Sequence, residues 1–260
     1  FYGLIKGMEE YLNAIKVERI LSWGKDVDAD KLGEMVNRKI RQEKIAIKDV
    51  KLRTFITEDS NRNEMVQHVY DITYGTVRKN EDSLVVIDDS IVRGTTLKES
   101  IVRMLSRLSP KKIIVVSSAP QIRYPDCYGI DMSKMGDFIA FKAAIALLKE
   151  RGMEQVMDDV YQKIKALEAK NELHTQNVVR ELYQPFTTEE ISDKIAQLIT
   201  PDNIQIPVEV IYQTIEGLHA CCPTNTGDWY FTGNYPTPGG NKVCNKAYTN
   251  YIEGNDQRGY

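Results

Sequence analysis

The sequence lacks any apolar run long enough to cross a membrane. A membrane-spanning helix needs about 20 predominantly apolar residues, whereas the runs here are short, as in Leu84–Ile87 and Ile113–Val116. The chain also has little net charge, because 34 Lys and Arg residues nearly balance 37 Asp and Glu residues to give −3. That balance argues against a broad basic surface for nucleic acid. We therefore expect neither a membrane nor a nucleic acid as a partner.

Cysteine and histidine are scarce as well. Four cysteines in 260 residues are too few for a disulfide scaffold, and Cys221 and Cys222 are adjacent, which disfavours a bridge between them. We therefore expect a reducing, cytoplasmic location. The three histidines show no metal-ligand spacing. The remaining composition, 42% hydrophobic and 27% charged, is that of a globular protein of one or two domains.

The start of the chain indicates a fragment. The first residue is Phe1 rather than Met, no signal peptide follows, and the opening residues are typical of the middle of an element. Apolar residues at helical spacing predict a helix over residues 1–21, and a second helix is expected around 30–43. Residues 51–64 are polar and without periodicity, which predicts a loop.

A βαβ unit follows. Residues 84–87 predict a strand buried on both faces, 97–108 an amphipathic helix, and 112–118 a second buried strand. Strand, helix and strand in this order imply a parallel sheet. Further helices are predicted at 137–150, 153–170, 187–199 and 207–218, and the last 40 residues predict an irregular tail. The fold class is therefore α/β, a parallel sheet flanked by helices, with a helical and irregular C-terminal region.

Two neighbouring acids mark the end of the first predicted strand. Asp88 and Asp89 come directly after Leu84–Ile87, and ligands of open α/β sheets bind at the carboxyl ends of strands. Two adjacent negative charges repel each other unless a cation or hydroxyl donors lie against them. Mg²⁺ and a sugar diol are both suitable partners.

The turn after the acids is typical of a phosphate site. Gly94, Thr95 and Thr96 precede the predicted helix, where backbone N–H groups and hydroxyls favour an anion. Gly94 would allow close approach of the backbone, and Arg93 adds positive charge. A phosphate at one end and hydroxyls at the other describe a ribose 5-phosphate. The alternative is that the acids only end a strand and Thr96 only caps a helix.

The run from Val86 to Thr96 resembles the phosphoribosyl diphosphate (PRPP) signature of the type I phosphoribosyltransferases, and its ending resembles that of the amidophosphoribosyltransferases. Three other passages resemble the same family. They are Arg53–Ile56, similar to the start of its flexible active-site loop, Ser117–Met132, similar to the segment after the next strand, and Phe231–Thr237, similar to its C-terminal tail.

The resemblance implies a glycosyltransferase reaction, the first step of de novo purine synthesis. Ammonia derived from glutamine displaces pyrophosphate from PRPP and gives 5-phosphoribosylamine. Asp88, Asp89 and Arg53 are then the catalytic residues, with the two acids holding the ribose hydroxyls and Mg²⁺ and Arg53 on a closing loop. The 5-phosphate is held by Ser90, Arg93, Gly94, Thr95 and Thr96.

The sequence also departs from that family. The family's N-terminal glutaminase domain uses an N-terminal cysteine, whereas the first cysteine here is Cys127. We therefore expect that domain upstream of Phe1 and, since the family's pyrophosphate-binding loop has no match, expect the fragment alone to be inactive. Cys127 matches one ligand of the iron–sulfur cluster found in some members, but Cys221 and Cys222 do not give the required spacing, so no cluster is expected.

The resemblance predicts the domain organisation too. Residues 1–150 would form the phosphoribosyltransferase domain, truncated at its N-terminus, and residues 151–260 a helical region with an irregular tail packed on it. A homo-oligomer is expected. Two other functions remain open, a type I phosphoribosyltransferase that uses a nucleobase and a non-catalytic regulatory module that senses PRPP.

Overall fold

The structure, a computed structural model, describes residues 2–24, 28–43, 45–48, 70–73, 75–128, 132–224, 227–255 and 257–259. The chain divides into two units. One consists of Phe1–Asp49 and Asp71–Thr76, and the other of Val50–Tyr70 and Val77–Tyr260. The loop predicted over 51–64, with Arg53, lies outside the described residues.

The first unit is mainly helical. Helix α1 spans Tyr2–Ser22, as predicted, and α2 spans Ala29–Asn37, ending earlier than expected. The carboxylate of Asp28 accepts the N–H of Asp30 and so caps α2. Two short strands, β1 (Ala46–Lys48) and β2 (Tyr70–Ile72), pair in a two-stranded sheet.

The second unit contains the predicted parallel sheet. Strands β3 (Ser83–Asp88), β4 (Lys112–Ser117) and β5 (Val208–Tyr212) lie in the order β3–β4–β5. A π-helical segment, Leu97–Val102, continues into α3 (Arg103–Ser106) and connects β3 to β4. The predicted βαβ unit and the α/β class are confirmed by this arrangement.

One strand prediction and one helix prediction were wrong. Strand β3 is not buried on both faces, since Leu84 is buried while Val85 is 43% exposed; β3 is the outer strand of the sheet among the described residues. The helix predicted over 207–218 is instead β5 followed by α7 (Ile215–Cys221). The β-branched residues of β5 favour a strand, and Thr214 caps the helix by accepting the N–H of Gly217.

Three long helices follow β4 along the chain. They are α4 (Ile139–Glu150), α5 (Gln155–Ala169) and α6 (Thr188–Ile199), close to their predicted bounds. Helix α6 packs on both α4 and β5. It begins with a capping box, in which Thr187 and Glu190 each accept the other's backbone N–H. Short 3₁₀ turns precede two of these helices along the chain, Met135–Asp137 before α4 and Val178–Leu182 before α6.

The tail is more regular than predicted. It contains α8 (Trp229–Thr232) and the 15-residue α9 (Pro238–Ile252). Helix α9 is difficult to predict from the sequence, because its Gly, Asn and Lys residues give little amphipathic pattern. Pro238, at a favoured first position of a helix, is the one local signal for it. No helix in the described ranges is long and apolar enough to span a membrane.

Candidate functional site

The first acid stands at the carboxyl edge of the sheet, as predicted. Asp88 is the last residue of β3 and lies opposite Ser117 of β4. The backbone N–H and the hydroxyl of Ser118 donate to the Asp88 carbonyl at 2.9 and 3.2 Å. These bonds fix the end of β3 to the end of β4, so the loop that follows starts from a rigid point.

The two carboxylates are held by their own backbone. The Asp89 N–H donates to Asp88 Oδ1 at 3.0 Å, and the Ser90 N–H donates to Asp89 Oδ1 at 2.8 Å. Burial, and then the neighbouring Asp89, raise the pKa of Asp88 above its ordinary value. Neither acid forms an ion pair with a basic side chain among the described residues. This uncompensated negative charge suits a cation or a set of hydroxyl donors.

The fold itself requires glycine at position 94. Its φ of +71° lies in the left-handed region, and an added Cβ would come within 3.1 Å of Ile199 and 3.2 Å of Ile139. The crowding at this position comes from apolar side chains of the core, and the predicted close approach of a ligand to Gly94 stays a prediction. The turn thus packs tightly against α4 and α6.

The two threonines are exposed at the start of the next helix. Thr96 already has helical backbone angles, φ −61° and ψ −39°, and its side chain makes no capping hydrogen bond. The helix-cap alternative for Thr96 is therefore not supported. The hydroxyls of Thr95 and Thr96 lie where N–H groups of a first helical turn have no partner within the helix. That combination can bind an anion.

The side chain of Arg93 forms an ion pair with Asp137. Its Nη2 lies 3.3 Å from Asp137 Oδ2, in the 3₁₀ turn before α4, and both side chains are partly exposed. The carbonyl of Val92 accepts the N–H of Ile139 at 2.7 Å, which holds the loop to the start of α4. Asp137 could not be identified from the sequence, because its pairing with Arg93 depends on the tertiary fold. The predicted role of Arg53 lies outside the described residues and stays a prediction.

Tyr212 is a residue that sequence reasoning missed. Along β5 it shares the covered face of the sheet with Asp88 and Ser117, since the three residues are in register. Its side chain is 9% exposed, and its hydroxyl has no hydrogen-bond partner among the described residues. Burial and the charge of Asp88 raise the pKa of Tyr212. Reading 208–212 as an alternating strand would have placed this tyrosine at the carboxyl edge.

The cysteines are dispersed. Cys127 is partly buried, Cys221 and Cys222 are exposed, and Cys244 is buried. In the part of the chain that the structure describes, no group of three or more His, Cys, Asp or Glu side chains could hold a metal ion. Asp88 and Asp89 are thus a pair of acids that would suit Mg²⁺ only if a substrate supplied further ligands.

No family model matches the sequence. Over 61 residues the chain is 49% identical to an amidophosphoribosyltransferase of Pasteurella multocida, a stretch that covers 24% of this chain and 12% of that protein. Over 158 residues it is 30% identical to the amidophosphoribosyltransferase of Saccharomyces cerevisiae, covering 59% of this chain and 20% of that protein. The chain thus spans a fifth or less of these relatives. The comparisons confirm the resemblance to amidophosphoribosyltransferases.

A solved structure was also found. It is the glutamine PRPP amidotransferase from B. subtilis complexed with ADP and GMP, which aligns with a TM-score of 0.42 and 22% identity. The alignment covers 85% of this chain and 41% of that one.

Proposed function

We propose that this chain is the phosphoribosyltransferase portion of an amidophosphoribosyltransferase. It would take part in forming 5-phosphoribosylamine from PRPP and glutamine-derived ammonia, in the first step of purine synthesis. The observation that carries this proposal is the loop Asp88–Thr96 at the carboxyl edge of a parallel sheet. In it, two acids that pair with no described basic side chain are followed by two exposed threonines, of which Thr96 makes no capping hydrogen bond.

The acids would bind the sugar. The free oxygens of Asp88 and Asp89 accept hydrogen bonds from the ribose 2- and 3-hydroxyls. As pyrophosphate leaves, positive charge develops on the ribose ring, and two nearby carboxylates stabilise that charge. Mg²⁺ would supply charge neutralisation for the pyrophosphate, with these two acids and the substrate oxygens as its ligands.

The turn would bind the phosphate. The hydroxyls of Thr95 and Thr96 and the backbone N–H groups at the start of the helix donate to the 5-phosphate, with Ser90 and Gly94 in the same loop. Arg93 would contribute charge while Asp137 restrains its position. Arg53 would close over PRPP on its loop and exclude water, so that water does not compete with ammonia for PRPP.

The remaining parts of the proposal concern the whole protein. An upstream glutaminase domain of the same protein would supply ammonia, residues 1–150 and 151–260 would be the transferase domain and its helical extension, and the protein would work as a cytoplasmic homo-oligomer. We expect the fragment alone to be inactive and to need no iron–sulfur cluster. The expected inactivity rests on the missing match to the family's pyrophosphate-binding loop. The expectation of no cluster rests on the adjacency of Cys221 and Cys222, which does not give the required ligand spacing.

A thermal-shift experiment tests the proposal. PRPP with Mg²⁺ should raise the melting temperature of the chain, and Asp88→Asn with Asp89→Asn should abolish the rise. The matched control is Asp158→Asn with Asp159→Asn, an adjacent pair of acids on α5 that are both exposed. An equal rise in the Asp88 and Asp89 variant would refute the site. Stabilisation by a free nucleobase in addition to PRPP would favour the nucleobase-using alternative.

A further inference from the structure

A cavity of about 350 Å³ lies beside the outer edge of β5. It is lined by residues 209–216, by the first turns of α6, by Phe231, and by Pro120, Gln121 and Arg123 from the segment after β4. None of the residues 88–96 lines it. The cavity therefore shares no residue with the loop that is proposed to bind PRPP, although Tyr212, which is in register with Asp88 across the sheet, lines it.

The edge of β5 offers backbone groups to this cavity. Towards β4, the carbonyl of Pro207 accepts the N–H of Ile113, and the N–H of Gln213 donates to Ser117. Because alternate residues of a strand direct their N–H and C=O groups to opposite sides, Val210 and Tyr212 direct theirs away from β4. Both residues line the cavity, and no described strand pairs with this edge. An extended peptide can add to such an edge.

The opposite wall is fixed by satisfied hydrogen bonds. Gln121 is 3% exposed, and its Nε2 donates to the Thr188 carbonyl and to Ser192 Oγ, both at 2.8 Å. Its Oε1 accepts from Arg123 Nε and Nη2 at 3.0 and 2.7 Å. Arg123 also lies over the ring of Tyr183, 5.2 Å from its centroid. A wall held in this way keeps its shape when a ligand is absent.

The charge at the cavity is negative. Glu189, Asp193 and Glu216 line it, are exposed, and form no ion pair with a described basic side chain. Glu209 already pairs with Lys112, and Arg123, the basic side chain in the lining, donates to Gln121. Three unpaired carboxylates around a free strand edge complement a ligand that carries positive side chains.

We propose that this cavity binds an extended basic peptide segment of a partner protein, which pairs with β5 as an added strand and places lysine or arginine side chains against Glu189, Asp193 and Glu216. Main-chain hydrogen bonds to Val210 and Tyr212 supply the register, and the acids supply the preference for positive charge. The proposal does not depend on PRPP binding.

A fluorescence-anisotropy titration with defined peptides tests it. The probe is a labelled heptapeptide of alternating valine and lysine. The first control is the same peptide with N-methylated backbone amides, which cannot pair as a strand, and the second replaces every lysine with glutamate. The protein variant is E189Q/D193N/E216Q, and its matched control, E154Q/E172Q/D202N, neutralises three exposed acids that do not line the cavity.

The lysine peptide should bind to the wild type, while the N-methylated and glutamate peptides should not. The triple variant at the cavity should bind about tenfold more weakly at low salt, and the control variant should bind as the wild type does. The proposal is overturned if the N-methylated peptide binds equally well, if the cavity variant keeps full affinity, or if the lysine peptide does not bind. Melting temperatures of both variants identify any loss of folding.

Discussion

The loop after β3 and the helix α9 differ in how completely their polar side chains are hydrogen-bonded. In α9, Asn245 is fully buried, and its amide accepts the N–H of Val178 and donates to the carbonyls of Leu173 and Gln176. In the loop, the carboxylates of Asp88 and Asp89 accept the next backbone N–H and pair with no basic side chain in the described part of the chain, and Thr96 makes no capping bond. A buried polar group with all its partners stabilises the fold, whereas polar groups that converge without partners are available for a ligand.

The largest effect on stability is expected in α9. Asn245→Ala removes the partner of the buried Val178 N–H, of the buried Leu173 carbonyl and of the part-buried Gln176 carbonyl, so it should lower the free energy of unfolding by about 3 kcal/mol. Chemical denaturation measures this loss. Asn203→Ala, at an exposed asparagine, should change the same free energy little, and a similar loss in both variants would show that Asn245 is not special.

Gly94→Ala should produce the next largest loss in the free energy of unfolding. Its comparison with Gly152→Ala separates the cost of a strained backbone from the cost of steric crowding. Gly94 and Gly152 both have positive φ, +71° and +66°, but an added Cβ meets close neighbours only at Gly94. Left-handed backbone alone costs an alanine about 1 kcal/mol. We expect Gly152→Ala to lose about that much and Gly94→Ala clearly more. Equal losses would mean that Ile139 and Ile199 move aside without cost.

The two threonines that precede helices should differ. Thr187 accepts the Glu190 N–H in a capping box, so Thr187→Ala should lower the free energy of unfolding by about 1 kcal/mol. Thr96 has no such bond, and Thr96→Ala should leave that free energy nearly unchanged while weakening ribose 5-phosphate binding. If Thr96→Ala destabilised the protein as much as Thr187→Ala, Thr96 would be a helix cap after all.

The smallest effect is expected from Asp88 itself. Because burial and Asp89 raise the pKa of Asp88 above its ordinary 3.8, the folded protein binds this proton more tightly than the unfolded chain does. Its contribution to stability is present below about pH 3.8 and is lost as the pH rises through the raised pKa. Asp88→Asn should therefore be slightly more stable than the wild type at about pH 7 but not at about pH 4. An Asn variant that is less stable at neutral pH would contradict this.

The same contrast explains how far the sequence predicts the structure. Strands β3 and β4 and helices α4 to α6 follow from local apolar patterns, and the acids and threonines of the loop follow from one continuous motif. Strand β5 was missed because Val208–Tyr212 is short and runs directly into α7. Tyr212 and Asp137 were missed because their places beside Asp88 and Arg93 are set by contacts between distant parts of the chain.

The central claim is that the acids and the threonines hold one phosphorylated sugar together, and isothermal titration of ribose 5-phosphate tests it most directly. Binding should weaken strongly both in Asp88→Asn with Asp89→Asn and in Thr95→Val with Thr96→Val, while inorganic phosphate should lose affinity only in the threonine variant. Unchanged ribose 5-phosphate affinity in either variant would contradict the account.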